Sequence, residues 1–156
     1  MKSQPLSLLE GIFLEDSGNI LKWGTSFIDL QNIDDPIIIK NEKIIKWKNK
    51  ICLGGLMLDI FIQSDNYTNS DGKLRFIRLD TNENDVWKNY HSLHSHFNKL
   101  FDKPTKEKLD GKYPLTTWKQ KDILISIGVA EKFTEYLIFA IEKKDSWWKS
   151  LRKNVR

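Results

Sequence analysis

Two stretches near the C-terminus decide the fold: Ile123-Leu124-Ile125-Ser126-Ile127 and Tyr136-Leu137-Ile138-Phe139-Ala140-Ile141. Short runs rich in β-branched and aromatic residues are typical of strands. The second run is apolar enough to predict a strand in the centre of a sheet. Residues 116–119 predict a third strand just before them.

The N-terminal half also contains short apolar runs of the kind that form strands. Residues 11–14 and 20–23 flank a stretch dense in turn formers, which predicts a β-hairpin. A short helix is predicted from Phe27 to Ile33, before Asp34-Asp35-Pro36. Further strands are predicted at residues 37–39, 44–48, 51–53, 56–62 and 73–79.

The clearest helix is predicted over residues 85–101. Asn84 or Asp85 can cap its first turn, and its apolar residues recur at helical spacing. Because no βαβ rhythm is present, the element order predicts an α+β fold. We expect a mostly antiparallel sheet with two or three helices packed on one face, in a single domain over residues 1–156. The sheet order stays open, and residues 74–79 could form an exposed edge that pairs across a dimer.

Charge divides the chain into a body and a tail. The 156 residues contain 25 Lys and Arg against 21 Asp and Glu, a net charge of +4. From about residue 143 a basic aromatic tail carries +5, which leaves the body at −1. A domain that follows phosphates normally has a basic face on its body, so this distribution argues against general nucleic-acid binding.

The termini and the cysteine indicate the compartment. The N-terminal apolar stretch is interrupted by Pro5 and Glu10, so no signal peptide is predicted. No apolar run approaches the ~20 residues of a membrane-spanning helix. Cys52 is the one cysteine, which excludes an intrachain disulfide framework. Together these features favour the cytoplasm.

Three polar residues are candidates for a chemical site. His91 and His94 lie one turn apart on the predicted helix, and Asp59 interrupts an apolar strand. They could line a ligand-binding or catalytic site in a cleft between sheet and helix. The alternative is a polar helix flank and a solvent-facing aspartate. His91 and His94 could hold a metal ion if a third ligand joined them. No His-Glu-x-x-His motif is present and Gly54-Gly55 has no phosphate-loop lysine after it, so no metal or cofactor is predicted.

The tryptophans carry more information than the histidines. Six are present, and some of them have basic neighbours. Aromatic and basic residues together are typical of protein interfaces, although the tail could instead dock its tryptophans on the sheet. The predicted partner-binding residues are Trp47, Lys48, Trp147, Trp148, Lys149 and Arg152.

One stretch near the N-terminus resembles a group of bacterial proteins. Leu21-Lys22-Trp23-Gly24-Thr25-Ser26-Phe27-Ile28-Asp29-Leu30 resembles the start of small proteins encoded beside bacterial contact-dependent and polymorphic toxins. Residues 100–104, 113–114, 118 and 138–143 are similar to the same group. The resemblance touches about half of the chain and carries no catalytic residue. It implies an immunity protein that blocks a cognate toxin in the bacterial cytoplasm.

Three functional hypotheses follow. The first is a non-enzymatic protein-binding module, with a toxin as the partner that the resemblance implies. The second is a small ligand-binding or enzymatic α+β domain with a site near Asp59, His91 and His94. The third is a peripheral binder of membrane or nucleic acid through the basic tail. The oligomeric state is not fixed by the sequence.

Overall fold

The structure, a computed structural model, describes residues 7–39, 41, 43–63, 72–108 and 111–144. The predicted tail residues from 145 onward lie outside this part of the chain. The described elements, in chain order, are β1 (Gly11–Phe13), β2 (Ile20–Lys22), α1 (Phe27–Leu30), β3 (Ile37–Ile39), β4 (Ile44–Cys52), β5 (Leu56–Gln63), β6 (Phe76–Asp80), α2 (Val86–Phe101), β7 (Lys106–Lys108), β8 (Leu115–Gln120), β9 (Ile123–Glu131) and β10 (Glu135–Lys143).

The strands form one large and one small sheet. Strands β1 and β2 pair as a hairpin, and the others form an eight-stranded sheet in the order β3-β4-β5-β6-β10-β9-β8-β7. Every neighbouring pair is antiparallel. The prediction of a mostly antiparallel α+β fold is confirmed, and β10 is central as predicted. The proposed edge at residues 74–79 is wrong, because β6 lies between β5 and β10.

Side-chain alternation gives the large sheet an inner face and an outer face. Leu58, Ile60 and Ile62 of β5 are buried, as are Phe139 and Ile141 of β10. These residues share one face of their strands and belong to one core cluster. The residues between them point to the opposite side, which we call the outer face.

Helix α2 packs on the inner face against β9 and β10. Its Phe97 ring lies 5.7 Å from the ring centroids of Trp118 and Phe139. The predicted cap is confirmed, since the Asp85 Oδ1 accepts a 3.1 Å hydrogen bond from the Lys88 N–H. Helix α1 contributes Phe27 and Leu30 to the core; that the helices all share one face stays a prediction.

Two local predictions are corrected by strand pairing. Residues 44–48 and 51–53 are not separate strands, because β4 continues through a bulge between Trp47 and Lys50. The charged strand β7 was not predicted, because its Lys-Glu-Lys sequence has no alternation and its pairing with β8 defines it. None of the helices in the described ranges is long and apolar enough to cross a membrane.

The loop before β3 is tied to the rest of the fold through Asp34. Its side chain is 8% exposed and accepts hydrogen bonds from Ser17 and Asn19. The Lys50 ammonium lies 3.5 Å from the same carboxylate. Burial by itself raises the pKa of the Asp34 carboxyl, but the two hydrogen bonds and the Lys50 charge outweigh it and leave the pKa below its ordinary value.

We expect Asp34→Asn to lower the free energy of unfolding by about 1–3 kcal/mol at pH 7, because it removes the charge that Ser17, Asn19 and Lys50 stabilise. Since the folded pKa is lowered, this stabilisation is complete above the unfolded pKa of about 3.9 and is lost as pH falls through the folded value. Urea titrations at pH 7 and pH 3 measure the difference. Asp35→Asn, at an exposed neighbour whose φ is also positive, is the control and should change little at either pH.

Gly11 is required where β1 meets β2. Its φ is 151°, and a Cβ at this position would lie 2.1 Å from the Leu21 carbonyl oxygen. We therefore expect Gly11→Ala to lower the free energy of unfolding by more than about 2 kcal/mol. Gly18→Ala is the control, since Gly18 has a φ of 82° but open space around it, and should cost only about 1–2 kcal/mol. Equal losses in thermal unfolding would contradict the steric explanation.

Candidate functional site

The predicted partner-binding residues divide into three groups. Trp47 is 1% exposed, and its Nε1–H donates a 2.7 Å hydrogen bond to the Ile33 carbonyl. Its prediction as a contact residue is corrected, because the indole faces the core and its one polar atom is already bonded. Lys48 beside it is exposed, at the bulge of β4. Trp147, Trp148, Lys149 and Arg152 lie outside the described residues.

Asp59 has a structural partner. Its Oδ1 accepts a 2.9 Å hydrogen bond from the Asn49 N–H, within the bulge of β4. The Lys46 Nζ lies 4.0 Å from its other oxygen. The carboxylate therefore satisfies a backbone donor that the bulge removes from the strand ladder.

The two histidines have separate surroundings on α2. The His94 Nε2 lies 2.7 Å from the Glu107 Oε1, and its Nδ1 accepts a 3.1 Å hydrogen bond from the Asn98 amide. His91 is exposed, with its ring centroid 6.3 Å from that of Trp87. Helix α2 covers the inner face whereas Asp59 lies on the outer face, so the structure does not bring Asp59 together with His91 and His94.

Potential metal ligands do not cluster among the described residues. No group of three or more His, Cys, Asp or Glu in these ranges could hold a metal ion. A shallow pocket of about 440 Å³ lies between the end of α2 and the end of β8, lined by Asn98, Lys99, Leu100, Phe101, Asp102, Lys119 and Gln120. It contains none of the three candidate residues, and its lining is more polar than that of a usual small-molecule site.

The turn between β4 and β5 is filled by the chain itself. The Glu15 carboxylate accepts hydrogen bonds of 2.9 and 3.2 Å from the N–H groups of Gly54 and Gly55. His96 reaches the same turn, with its Nε2 2.7 Å from the Leu53 carbonyl oxygen. An internal carboxylate thus occupies the backbone donors that a bound anion would otherwise use.

Cys52 is buried next to this turn, with no exposed surface. Burial, and then the negative charges of Glu15 and Asp16, raise the pKa of its thiol to about 12. Because the thiolate is the nucleophilic form, the thiol is unreactive at neutral pH.

We expect Cys52 to react with a thiol reagent such as Ellman's reagent only after the protein unfolds, because the folded thiol is both protonated and inaccessible. The measurement compares the rate of modification in buffer and in urea. Ser95→Cys, which places a thiol on the exposed side of α2, is the control and should react at once in the folded protein. Fast modification of native wild-type protein would contradict this description of Cys52.

The outer face carries an arrangement that sequence reasoning missed. The pairing register places Phe61 of β5 directly between Lys46 of β4 and Arg78 of β6. The Arg78 Cζ lies 4.6 Å and the Lys46 Nζ 5.2 Å from the centroid of the Phe61 ring. Phe61 is half-buried and Arg78 is exposed. Each cation–π contact contributes on the order of 0.5–1 kcal/mol at such an exposed site.

Charges on the outer face are arranged in rows across the strands. Lys46 and Arg78 form a cationic row on either side of Phe61, whereas Asp59 and Asp80 pair in a neighbouring anionic row. Beyond Arg78, the same cross-strand row continues onto β10 and β9 with two small uncharged residues, Ala140 and Ser126. The outer face can therefore orient a partner of complementary charge through two rows of opposite charge.

A second group of aromatic residues lies at the tip of the β9–β10 hairpin and beside it. Phe133, at the tip of the β9–β10 hairpin, is 92% exposed, and Tyr136 is 48% exposed. Beside them the rings of Trp87 and Tyr113 stack at 6.3 Å, and the Trp87 Nε1–H donates to Glu135. Exposed rings of this kind are common in interfaces, and Phe133 had no distinguishing signal in the sequence.

Comparison with known proteins gives no relative. None of the protein-family models, curated proteins or solved structures compared with the chain matches it.

Proposed function

We propose that the chain is a non-enzymatic protein-binding module whose contact surface is the outer face of the sheet, centred on Phe61 and Arg78. The observation that carries the proposal is the placement of the Phe61 ring between the cations of Lys46 and Arg78. These side chains lie on the outer face, opposite the face that packs in the core. Arginine and aromatic side chains dominate the binding energy of many protein interfaces. Lys48 and the tail residues Trp147, Trp148, Lys149 and Arg152 stay predicted as further contacts.

The rigidity of this surface supports the proposal. Phe61 and Arg78 lie on β5 and β6, which have strands on both sides in the sheet. The inner faces of the same strands are packed, with Ile60, Ile77 and Leu79 at most 3% exposed. A surface that is ordered before binding loses little conformational entropy when the partner arrives.

The resemblance to proteins encoded beside bacterial toxins suggests the biological setting. We propose that the partner is a toxin domain and that the chain neutralises it in the cytoplasm of the producing cell. Such a role needs tight association without chemistry. The two charge rows would select the cognate toxin, since a wrong partner would place like charges against them.

The test combines toxin rescue with a measurement of affinity. Co-expression with the toxin candidate encoded beside the gene should restore growth, and the purified pair should form a one-to-one complex. We expect Arg78→Ala to weaken that complex about tenfold or more, because it removes an exposed cation from the centre of the interface.

Lys132→Ala is the matched control for this experiment. It removes the same charge from an exposed residue at the hairpin tip, outside the proposed surface. An Arg78→Ala complex as tight as wild type would contradict the assignment of the surface. Failure to find any stoichiometric partner would contradict the proposed function itself.

A further inference from the structure

The two edges of the eight-stranded sheet are protected differently. Strand β7 forms one edge with Lys106, Glu107 and Lys108, all exposed. Charged edge strands discourage pairing with another chain. Strand β3 forms the other edge with three isoleucines, of which Ile37 is 51% and Ile38 is 38% exposed. An exposed apolar edge of this kind is open to the addition of another strand.

The backbone of β3 specifies what can bind there. Among the described residues β3 pairs with β4 alone, in the register Ile37 to Lys46, Ile38 to Ile45 and Ile39 to Ile44. In an antiparallel strand, successive residues direct their N–H and C=O groups alternately to the two sides. Part of the β3 backbone therefore points away from β4, and an extended peptide is the natural partner for such groups.

The loop before β3 holds this edge in place. Asp34, two residues before Pro36, is fixed by Ser17, Asn19 and Lys50. Pro36 restricts the backbone immediately before the strand. The edge is thus ordered by contacts of its own chain before any partner binds, which lowers the entropic cost of adding a strand.

We infer that the Ile37–Ile39 edge binds an extended segment of the partner protein as an additional strand. This inference rests on the proposed function, and it names the chemistry of the partner: apolar residues on both sides of a short strand. One side would pack on Ile38, whose neighbour Ile45 belongs to the core. The other would pack on Ile37, which is paired with Lys46 on the outer face; Lys46 is in turn paired with Phe61.

A second copy of this chain fits the edge less well. Self-pairing would join two three-residue strands, whereas stable interfaces usually involve about 20–30 residues on each side. A partner strand that continues onto the outer face gains the Lys46, Phe61 and Arg78 contacts as well. Continuity between the edge and the proposed surface therefore favours a partner segment.

Photocrosslinking in cells that produce the partner tests the inference. The photoreactive residue p-benzoylphenylalanine replaces Ile37 in one variant and Glu107, on the opposite edge, in the matched control. We expect a discrete adduct with another protein from position 37, at least tenfold stronger than from position 107. Adding Ile38→Lys to the first variant should reduce the adduct at least tenfold, and circular dichroism checks that this chain folds.

Hydrogen exchange of the captured complex provides a second readout. Strand addition should slow exchange of amides within residues 37–39 at least tenfold, whereas contact through side chains alone should leave them unchanged. Unchanged exchange, or an adduct equally strong from both edges, would overturn the inference. If Ile38→Lys unfolds the chain, Ile37→Lys at the more exposed position replaces it in the affinity measurement, and wild-type affinity would again overturn the inference.

The outcomes also separate this inference from the proposed function. If the wild-type chain captures its partner, and Arg78→Ala weakens the complex, but position 37 gives no adduct, the edge inference fails and the function stands. An adduct with a second copy of the chain would overturn the choice of a partner segment. The absence of both complex and adduct would contradict the proposed function and the inference together.

Discussion

The antiparallel register between β9 and β10 is the constraint on which the rest of the structure depends. It runs without interruption from the Glu131–Glu135 pair to the Ile123–Lys143 pair. A slip of one residue would turn Phe139 and Ile141 to the outer face and place Ala140 against α2. Because β6 pairs with β10 and β5 with β6, the same register sets which side chains of those strands face outward.

This constraint explains why an aromatic ring lies on the outer face. The core is filled from the inner side, where Trp118, Phe97 and Phe139 are each at most 2% exposed. Fully burying a phenylalanine side chain contributes roughly 1.5–3 kcal/mol relative to leaving it exposed. Phe61 is half-buried, and its position is fixed by pairing rather than by the packing of the core. Its neighbours Lys46 and Arg78 are not part of the core, so their charges can contact a partner.

Periodicity was sufficient to predict most of the elements and their type. Helix α2 and its cap at Asp85 followed from apolar spacing and a capping residue, and the central position of β10 followed from its apolar composition. Strand order did not follow, because long-range pairing leaves no local trace; β6 was therefore mistaken for an edge. Strand β7 was missed because charged residues paired with β8 have no strand signal of their own.

The candidate site was harder to predict than the fold. The neighbours of Trp47 in sequence suggested an exposed indole, whereas the strand directs Trp47 inward and the alternate lysines outward. Alternation in β5 does place Phe61 on the same side as Asp59, so the side of the strand on which Phe61 lies could be predicted. That Arg78 lies across from Phe61 depends on the register between β5 and β6, which the sequence does not specify.

Hydroxyl-radical footprinting of the complex, read residue by residue in a mass spectrometer, measures whether the outer face is the contact surface. Phe61 reports on the outer face, whereas Phe13, 47% exposed on β1, serves as an internal reference. We expect oxidation of Phe61 to fall several-fold when the partner binds while oxidation of Phe13 stays constant. Unchanged oxidation of Phe61, with protection at His91 or Phe133 instead, would contradict this expectation.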